Sequence, residues 1–165
     1  MDYAIAYSSR TGNTKMLADT IKNTLSSEHI IYFGPLNDKA LEADRIFLGF
    51  WTNQGICDAD TQQFIKKLRK QEVFLFGTAG LGSSTDYYDK IIQNTRKLFP
   101  DTAKFFASFM CQGKMPLEVR QRYLQMKQQP NPATNLDRLI KNFESSLGHP
   151  SKDDLRNFAA WLRKF

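Results

Sequence analysis

Early in the chain stands the run Tyr3-Ala4-Ile5-Ala6-Tyr7-Ser8-Ser9-Arg10-Thr11-Gly12-Asn13-Thr14, in which five apolar residues lead into a turn rich in hydroxyl groups. The apolar part predicts a buried β-strand over residues 2–7, and Leu17, Ile21 and Leu25 recur at helical spacing beyond the turn. The turn therefore joins the carboxyl end of a strand to the amino end of a helix, predicted over residues 13–26. Backbone N–H groups and the helix dipole attract anions at such a place.

The composition of this turn suits a single terminal phosphate. Ser9, Thr11 and Thr14 offer hydroxyl groups, and Gly12 allows a close approach of the backbone. The turn lacks the Gly-Lys-Ser/Thr ending of the loop that binds ATP, and it lacks the three spaced glycines of the Rossmann fingerprint. The alternative is that the turn only caps the helix, since Ser and Thr are common N-cap residues.

Thr11-Gly12-Asn13-Thr14 after an N-terminal strand resembles the FMN phosphate loop of flavodoxins. The resemblance implies that FMN is the cofactor and that this loop binds its phosphate. The residues expected to do so are Ser9, Arg10, Thr11, Gly12, Asn13 and Thr14. Arg10 departs from the family, whose loops usually leave the phosphate without a charged partner. Its side chain either stays in solvent or neutralises the phosphate.

Strands and helices alternate along the rest of the chain. Apolar runs predict strands over residues 29–33, 45–50, 73–76 and 103–111, and helical spacing predicts helices over 37–43, 60–70, 86–99 and from Asp153 onward. This alternation predicts a parallel sheet with helices on both faces, in a single domain spanning residues 1–165. The flavodoxin resemblance adds a three-layer α/β/α sandwich whose five parallel strands have the order 2-1-3-4-5.

Residues 112–150 exceed what five strands and their helices require. They predict two helices before the last one, the first through Val119 and Tyr123 and the second through Leu136 and Phe143. One interpretation is a helical elaboration packed on the edge of the sheet. The other is a docking surface, because residues 112–130 contain four cations, Lys114, Arg120, Arg122 and Lys127, against one acid, Glu118.

A second loop follows the third predicted strand. Trp51 begins this loop, where flavodoxins place groups that pack on the flavin, whereas its neighbour Phe50 is expected to turn into the core. Gly55 resembles the loop glycine whose peptide turns over when the flavin gains a proton, which requires positive φ. The cofactor-binding residues expected here are Phe50, Trp51, Thr52 and Gly55.

A third loop follows the fourth predicted strand and resembles the flavodoxin loop whose backbone bonds to the pyrimidine edge of the flavin. Its expected contacts are Thr78, Ala79, Gly80 and Gly82. Glycines are common in turns between strands and helices, so this pattern is weak by itself. The aromatic residue that covers the outer flavin face in flavodoxins is not evident, because Tyr87 and Tyr88 come late and fit a helix core. We therefore expect an open outer face.

The composition argues against several other classes of protein and of functional site. The 165 residues are 41% hydrophobic, and no stretch approaches the ~18 apolar residues of a membrane span. No export signal is evident, so we expect a cytoplasmic protein. Two cysteines, Cys57 and Cys111, and two histidines, His29 and His149, lack the spacing of metal ligands or of a catalytic triad. We therefore predict neither a metal site nor a catalytic residue.

The formal net charge is +6, from 23 basic and 17 acidic residues, whereas flavodoxins as a family are acidic. The cations are dispersed and form no basic stripe interleaved with aromatic residues, so nucleic acid is not an expected partner. A redox protein with an acidic docking surface is the expected partner. The basic charge is also expected to make the lower flavin potential less negative than in acidic flavodoxins.

The resemblance implies an electron-transfer protein that shuttles electrons between redox proteins, with FMN supplying the chemistry. The alternative is an FMN-dependent oxidoreductase, either a quinone reductase or an enzyme similar to the flavodoxin-like protoporphyrinogen oxidases. An open flavin face would favour this alternative. A narrower resemblance lies in Phe109-Met110-Cys111-Gln112-Gly113-Lys114-Met115-Pro116, which looks like a flavodoxin-like branch linked to flavin reductases of tetrapyrroles such as bilirubin.

Overall fold

A computed structural model of the protein describes residues 1–82 and 84–165. Five strands form a parallel sheet: β1 (Tyr3–Tyr7), β2 (Ile30–Pro35), β3 (Arg45–Asn53), β5 (Glu72–Ala79) and β6 (Lys104–Gln112). A short strand, β4 (Ile56–Cys57), pairs antiparallel with the end of β3. The spatial order is β2-β1-β3-β5-β6, which confirms the flavodoxin-like order of the five parallel strands. The sixth strand, β4, is an addition that the sequence analysis does not predict.

The helices of the described residues follow the strands in the expected alternation. They are α1 (Asn13–Thr24), α2 (Ala59–Ile65), α3 (Thr85–Arg96), α4 (Leu117–Lys127), α5 (Leu136–Ser146) and α6 (Lys152–Leu162), with short 3₁₀ helices at Ser27–His29 and Asp38–Glu42. None of the helices found in residues 1–82 and 84–165 has the length and apolar character needed to cross a membrane.

Neighbouring residues of β3 face opposite sides of the sheet, as the twofold period of a strand requires. On one side Ile46 belongs to an apolar cluster with Phe64 of α2. On the other side Phe47 belongs to a cluster with Leu17 of α1 and Phe158 of α6. All five side chains are buried. Because both faces of the sheet are covered, the molecule has the three layers expected of an α/β/α sandwich.

Aromatic rings fill much of the layer between the sheet and α6. The ring centroid of Trp161 lies 5.2 Å from that of Phe74 and 5.0 Å from that of Phe165. Phe109 stacks on Phe158 at a centroid distance of 4.2 Å. This aromatic cluster anchors the last helix to β5 and β6 through contacts that add to simple burial of area.

Strand β3 is longer than predicted because Trp51 pairs with Thr78 of β5 and because β4 folds back on the last two residues of β3. The pairs are Thr52 with Cys57 and Asn53 with Ile56. Trp51 and Thr52 therefore lie on a strand rather than in a loop, and the turn falls at Gln54 and Gly55, whose φ angles are 53° and 84°. Strand β5 likewise continues to Ala79, so Thr78 and Ala79 are strand residues.

Residues 112–150 contain two helices that form an antiparallel pair, which we call the α4–α5 hairpin. Lys127 at the end of α4 forms an ion pair with Asp137 at the start of α5. Ser146 at the end of α5 accepts a hydrogen bond from the N–H of Met115, just before α4. Helix α5 buries Phe143, whereas no residue of α4 is buried. The position of α4 therefore depends on α5.

Candidate cofactor site

A cavity of about 390 Å³ lies beyond the carboxyl ends of β1, β3, β5 and β6. Its volume falls within the range of small-ligand sites, and its place at the carboxyl edge is where open α/β sheets bind ligands. The predicted site residues that line it are Arg10, Thr11, Asn13, Trp51, Thr52, Thr78, Ala79 and Gly80. The three loops selected by the sequence analysis therefore meet at one cavity.

The remaining predicted site residues do not line this cavity: Ser9, Gly12, Thr14, Phe50, Gly55 and Gly82. Phe50 is fully buried, which confirms the inward orientation expected of it. Its ring lies directly on β5, since a Cβ added to Gly77 would stand 2.5 Å from it. Any contact of Phe50 with a ligand is thus limited to its backbone.

The amino end of α1 leaves several backbone donors without partners. Gly12 is the N-cap with a left-handed φ of 92°, and as a glycine it offers no capping side chain of its own. The N–H of Lys15 donates to Ser9 Oγ at 3.2 Å and that of Met16 donates to the Gly12 carbonyl at 3.1 Å. The N–H groups of residues 11–14 form no hydrogen bond within the described chain. Adjacent free donors at the positive end of a helix dipole form an anion site.

The two threonines of the predicted phosphate loop face different surroundings. Thr11 is exposed, and its Oγ1 accepts a hydrogen bond from Asn13 Nδ2 at 3.2 Å. Thr14 is only 1% exposed; its hydroxyl donates to the Phe50 carbonyl at 3.1 Å and lies 3.1 Å from Thr78 Oγ1. Thr14 thus ties α1 to β3 and β5. Thr11 is the threonine whose hydroxyl a phosphate can reach.

A buried carboxylate, Asp58, connects the first two loops, a role that the sequence analysis does not assign to it. Its Oδ2 accepts hydrogen bonds from Ser8 Oγ at 2.7 Å and from the N–H of Thr61 at 3.2 Å. Its Oδ1 accepts from Thr61 Oγ1 at 2.8 Å and from the N–H of Trp51 at 3.3 Å. Asp58 is therefore the N-cap of α2 and also fixes the backbone of Trp51. The pattern Asp-x-x-Thr before a helix is the local signal that could have revealed it.

The Trp51 side chain is half-buried and lies close to Arg10, a cation that also lines the cavity. The guanidinium carbon of Arg10 lies 5.5 Å from the centroid of the Trp51 ring, within the range of a cation–π contact. Neither alternative considered for Arg10 included this contact. Next to Trp51, the buried Oγ1 of Thr52 has no hydrogen-bond partner in the described part of the chain. A buried hydroxyl in that state is stabilised by a polar ligand atom.

Gly55 lies in the turn between β3 and β4 with a φ of 84°, so it has the positive φ that the flavodoxin resemblance requires. Its carbonyl accepts a hydrogen bond from Asn94 Nδ2 of α3 at 3.0 Å. A turnover of the peptide after Gly55 would break this bond. The role of Gly55 toward a flavin stays a prediction.

The loop after β5 is bound by the α4–α5 hairpin. Asn142 of α5 accepts a hydrogen bond from the N–H of Gly82 at 3.0 Å and donates to the Gly80 carbonyl at 3.1 Å. The N–H of Gly82 is thus already engaged within the protein. Gly80 reaches the cavity, and a Cβ in its place would stand 2.9 Å from Met115.

Several residues that sequence reasoning missed also line the cavity. Tyr87, assigned to a helix core, packs partly against the core and also reaches the cavity. Val119 and Tyr123 reach it from α4, and Leu139 reaches it from α5. The α4–α5 hairpin is therefore not confined to the edge of the sheet. The helical spacing of Val119 and Tyr123, four residues apart on α4, was the available signal.

Neither cysteine is a reactive thiol. Cys57 and Cys111 are free and buried. Burial raises the pKa of Cys57 to about 12, and burial also raises the pKa of Cys111. Both thiols therefore stay protonated at neutral pH. Within residues 1–82 and 84–165, no group of three or more His, Cys, Asp or Glu side chains could hold a metal ion.

The described residues fit an FMN molecule on three independent grounds. The free N–H groups of residues 11–14 suit a phosphate dianion. The unpartnered hydroxyl of Thr52 suits a polar atom of a ring system, and the half-buried indole of Trp51 suits its π face. The cavity volume of about 390 Å³ leaves room for a small ligand.

A protein-family profile described as a flavodoxin domain matches residues 4–163. The chain belongs to the flavodoxin family. The match spans nearly the whole chain, including the α4–α5 hairpin. It confirms the resemblance found in the phosphate loop, and with it the FMN cofactor expected of this chain.

Two curated relatives are both named flavodoxin-like domain-containing protein BilS. The one from Clostridium symbiosum strain WAL-14163 is 39% identical, over 98% of this chain and 94% of the relative. The one from Clostridioides difficile strain CD3 is 30% identical, over 94% of this chain and 90% of the relative. These flavodoxin-family relatives therefore match it over most of their length.

Solved structures show the same fold at low sequence identity. The flavodoxin WrbA-like protein from Agrobacterium tumefaciens has a TM-score of 0.53 over 99% of this chain and 98% of that chain, at 12% identity. Oxidised flavodoxin 2 from Bacillus cereus has a TM-score of 0.52 over 88% of this chain and 99% of that chain, at 17% identity. At such identities these structures support the flavodoxin fold alone.

Proposed function

We propose that this flavodoxin-family protein binds FMN in the cavity and carries electrons between redox proteins. FMN, when bound, supplies reversible one- and two-electron chemistry. The N–H groups of residues 11–14 and the Thr11 hydroxyl would hold its phosphate. Trp51 and Thr52 would contact the ring, and the backbone at Gly80 would bind a polar edge of it.

The observation that carries this proposal is the lack of a carboxylate, an imidazole or a thiol in the described part of the cavity wall. The described residues that line the cavity include no His, Asp, Glu or Cys. Their titratable groups are Arg10, Lys114, Tyr87 and Tyr123, and burial raises the pKa of Tyr87, which keeps it neutral. An enzyme that moves substrate protons usually places such groups within reach of the reacting atoms. A carrier needs only a bound cofactor and an accessible edge.

The charge on the α4–α5 hairpin supports a partner with an acidic docking surface. Arg122 and Lys114 are exposed beside the cavity side of the hairpin, and Arg120 is half-exposed. Leu117 is 64% exposed at the start of α4, so an apolar side chain is exposed on the same helix as Arg120 and Arg122. Opposite charges steer redox proteins together and fix their orientation, while apolar contacts stabilise the complex.

We also propose a cytoplasmic location for the carrier. Both cysteines are free thiols rather than a disulfide, which agrees with a reducing compartment. Detection of the protein in a secreted fraction would contradict this proposal.

Calorimetry with FMN and riboflavin tests the cofactor proposal directly. A phosphate held by charged hydrogen bonds predicts that FMN binds ~10-fold tighter than riboflavin, or more. Equal affinities for FMN and riboflavin would contradict the proposed phosphate site. The carrier role is tested by loading the protein with FMN, reducing it, and measuring electron delivery to redox proteins. Sustained turnover of a nicotinamide cofactor and a quinone by this protein alone would instead support the oxidoreductase alternative.

A further inference from the structure

The α4–α5 hairpin reaches the cavity with side chains that lie outside the three predicted flavin loops, and it forms hydrogen bonds to the loop after β5. We propose that this hairpin is part of the cofactor site, with Asn142 positioning the backbone of residues 80–82 and Tyr123 providing a wall against the flavin ring. The inference rests on the proposed binding of FMN. It gives residues 112–150 a role that is neither a simple elaboration of the sheet edge nor only a docking surface.

The amide of Asn142 bonds to the loop as a neighbouring strand would. It donates from Nδ2 to the Gly80 carbonyl at 3.1 Å and accepts at Oδ1 from the N–H of Gly82 at 3.0 Å. Gln112 reinforces the same loop by donating to the Gly80 carbonyl at 3.0 Å and to Asn142 Oδ1 at 3.3 Å. The carbonyl of Gly80 and the N–H of Gly82 are therefore fixed from the side of α5.

The backbone donors of this loop that Asn142 leaves unengaged are the N–H groups of Gly80 and Leu81. Gly80 and Leu81 both line the cavity, and their N–H groups form no hydrogen bond within residues 1–82 and 84–165. Because Asn142 fixes the groups on either side, these two donors are preorganised for acceptor atoms on a ligand. A loop without this support would have to be ordered during binding, which weakens affinity.

Helix α5 is a rigid base for Asn142. Phe143 is 1% exposed and Ser146 is fully buried. Ser146 Oγ donates to the Phe143 carbonyl at 2.6 Å and accepts from the N–H of Met115 at 3.1 Å. Asn13 of the phosphate loop donates to the Lys114 carbonyl at 2.9 Å. The segment before α4 is thus joined to both α5 and the phosphate loop.

The geometry of the sheet gives the hairpin room to act as a wall. Trp51 leaves from β3, and the hairpin follows β6, two strands away in the sheet. Two strand spacings are about 10 Å. A flat ring in contact with groups on both faces needs about 7 Å between them. Tyr123, Val119 and Leu139 line the cavity that separates the two sides.

Substitution of Asn142 tests the positioning role. Asn142→Ala removes all its bonds, and Asn142→Asp keeps the acceptor for Gly82 but loses the donor to Gly80. We expect both variants to bind FMN and riboflavin about tenfold more weakly, with the ratio of the two affinities unchanged because the phosphate site is intact. The matched control is Glu144→Ala, an exposed residue of the same helix.

The midpoint potential of bound FMN distinguishes a positioning role of Asn142 from a merely structural one. Backbone N–H donors stabilise negative charge on the reduced ring, so loosening the loop should make the midpoint potential of bound FMN more negative. Wild-type affinity and potential in both Asn142 variants would overturn the proposal, and if Asn142→Ala does not fold, Asn142→Asp decides alone. Wild-type protein that fails to bind FMN would instead refute the proposed function itself.

Substitution of Tyr123 tests whether α4 forms a wall against the flavin ring. Tyr123→Ser should weaken FMN binding by about 3–10-fold, the value of an aromatic contact. Leu124→Ser is the control, since Leu124 is the next residue of α4 and is exposed outside the cavity. Equal affinities in the two variants would show that α4 forms no wall against the ring.

Discussion

Thr11 and Thr14 carry the same hydroxyl group in opposite surroundings, so the same substitution should have different effects. Thr14→Val removes a buried hydrogen bond to Phe50 and should lower the free energy of unfolding by about 1–2 kcal/mol without changing the ratio of FMN to riboflavin affinity. Thr11→Val should change the free energy of unfolding by less than about 0.5 kcal/mol. It should weaken the binding of FMN and leave the binding of riboflavin unchanged. Urea unfolding and calorimetry measure the two quantities. Identical behaviour of both variants would contradict the assignment.

Asp58 and Asp60 offer a matched pair two residues apart. Asp58 is 1% exposed and accepts bonds from Ser8, Trp51 and Thr61, whereas Asp60 is exposed. Asp58→Ala should lower the free energy of unfolding of the FMN-free protein by about 2–4 kcal/mol, because it leaves buried donors without partners. Asp60→Ala should cost less than about 1 kcal/mol. Equal losses would show that Asp58 does not connect the two loops.

The buried thiol of Cys57 predicts a loss of stability at high pH. Its ordinary pKa is 9.0, and burial raises it to about 12 in the folded protein. Above pH 9 the unfolded chain releases the thiol proton while the folded chain retains it, so stability falls as pH rises from about 9 toward about 12. Cys57→Ala should reduce this dependence, measured as the difference between the two proteins in urea unfolding at each pH. Parallel curves would exclude the contribution.

At the scale of single elements, the amino end of α1 depends on the backbone of Gly12. A Cβ there would meet nothing within 4 Å, so the cost of Gly12→Ala comes from its φ of 92° alone. We expect a loss of about 1–2 kcal/mol in unfolding free energy, the cost of a left-handed residue with a side chain. Gly148→Ala is the control, since its Cβ space is also open and its φ is not in the strained range. Equal stabilities would mean that the loop relaxes without strain.

The strands and most helices were predictable because their signals are local. The apolar run before Ser8 and the helical spacing after Thr14 place β1 and α1 nearly where they lie. The extension of β3 beyond Phe50 was not predictable in this way, since Trp51 pairs with Thr78 of β5, and Thr52 and Asn53 pair with β4 across a turn. The hydrogen bond from Asn142 to the Gly80 carbonyl joins residues 62 positions apart along the chain. A single asparagine in a helix carries no local signal of such a contact.

At the scale of the whole molecule, the net charge of +6 predicts that electron exchange with the proposed acidic redox partner slows as salt rises. Arg120→Glu with Arg122→Glu should lower the association rate at low salt by about tenfold and leave FMN affinity unchanged. Lys66→Glu with Lys70→Glu makes the same change of charge near the start of β5, at the opposite end of the sheet. Stopped-flow kinetics measures the association rates of the two double variants. Equal rates in the two double variants would place docking elsewhere.

The convergence of the three loops at one cavity could be foreseen because parallel strands end at the same edge of the sheet. Which atoms face the cavity could not, since that depends on packing between distant elements. Thr14 points inward because β3 and β5 offer it partners, and Tyr123 enters the site because α5 carries α4 beside it. The family match adds the fold and cofactor but leaves these assignments to the geometry.

The two tryptophans of the chain, Trp51 and Trp161, lie in separate parts of the molecule. Trp51 lines the cavity, while Trp161 lies on α6 and packs against the rings of Phe74 and Phe165. Each is therefore a natural optical reporter of a different event. In Trp161→Phe the remaining emission would follow occupancy of the cavity, and in Trp51→Phe it would follow the melting of the aromatic cluster. Ligand uptake and unfolding can thus be recorded separately in one unlabelled protein.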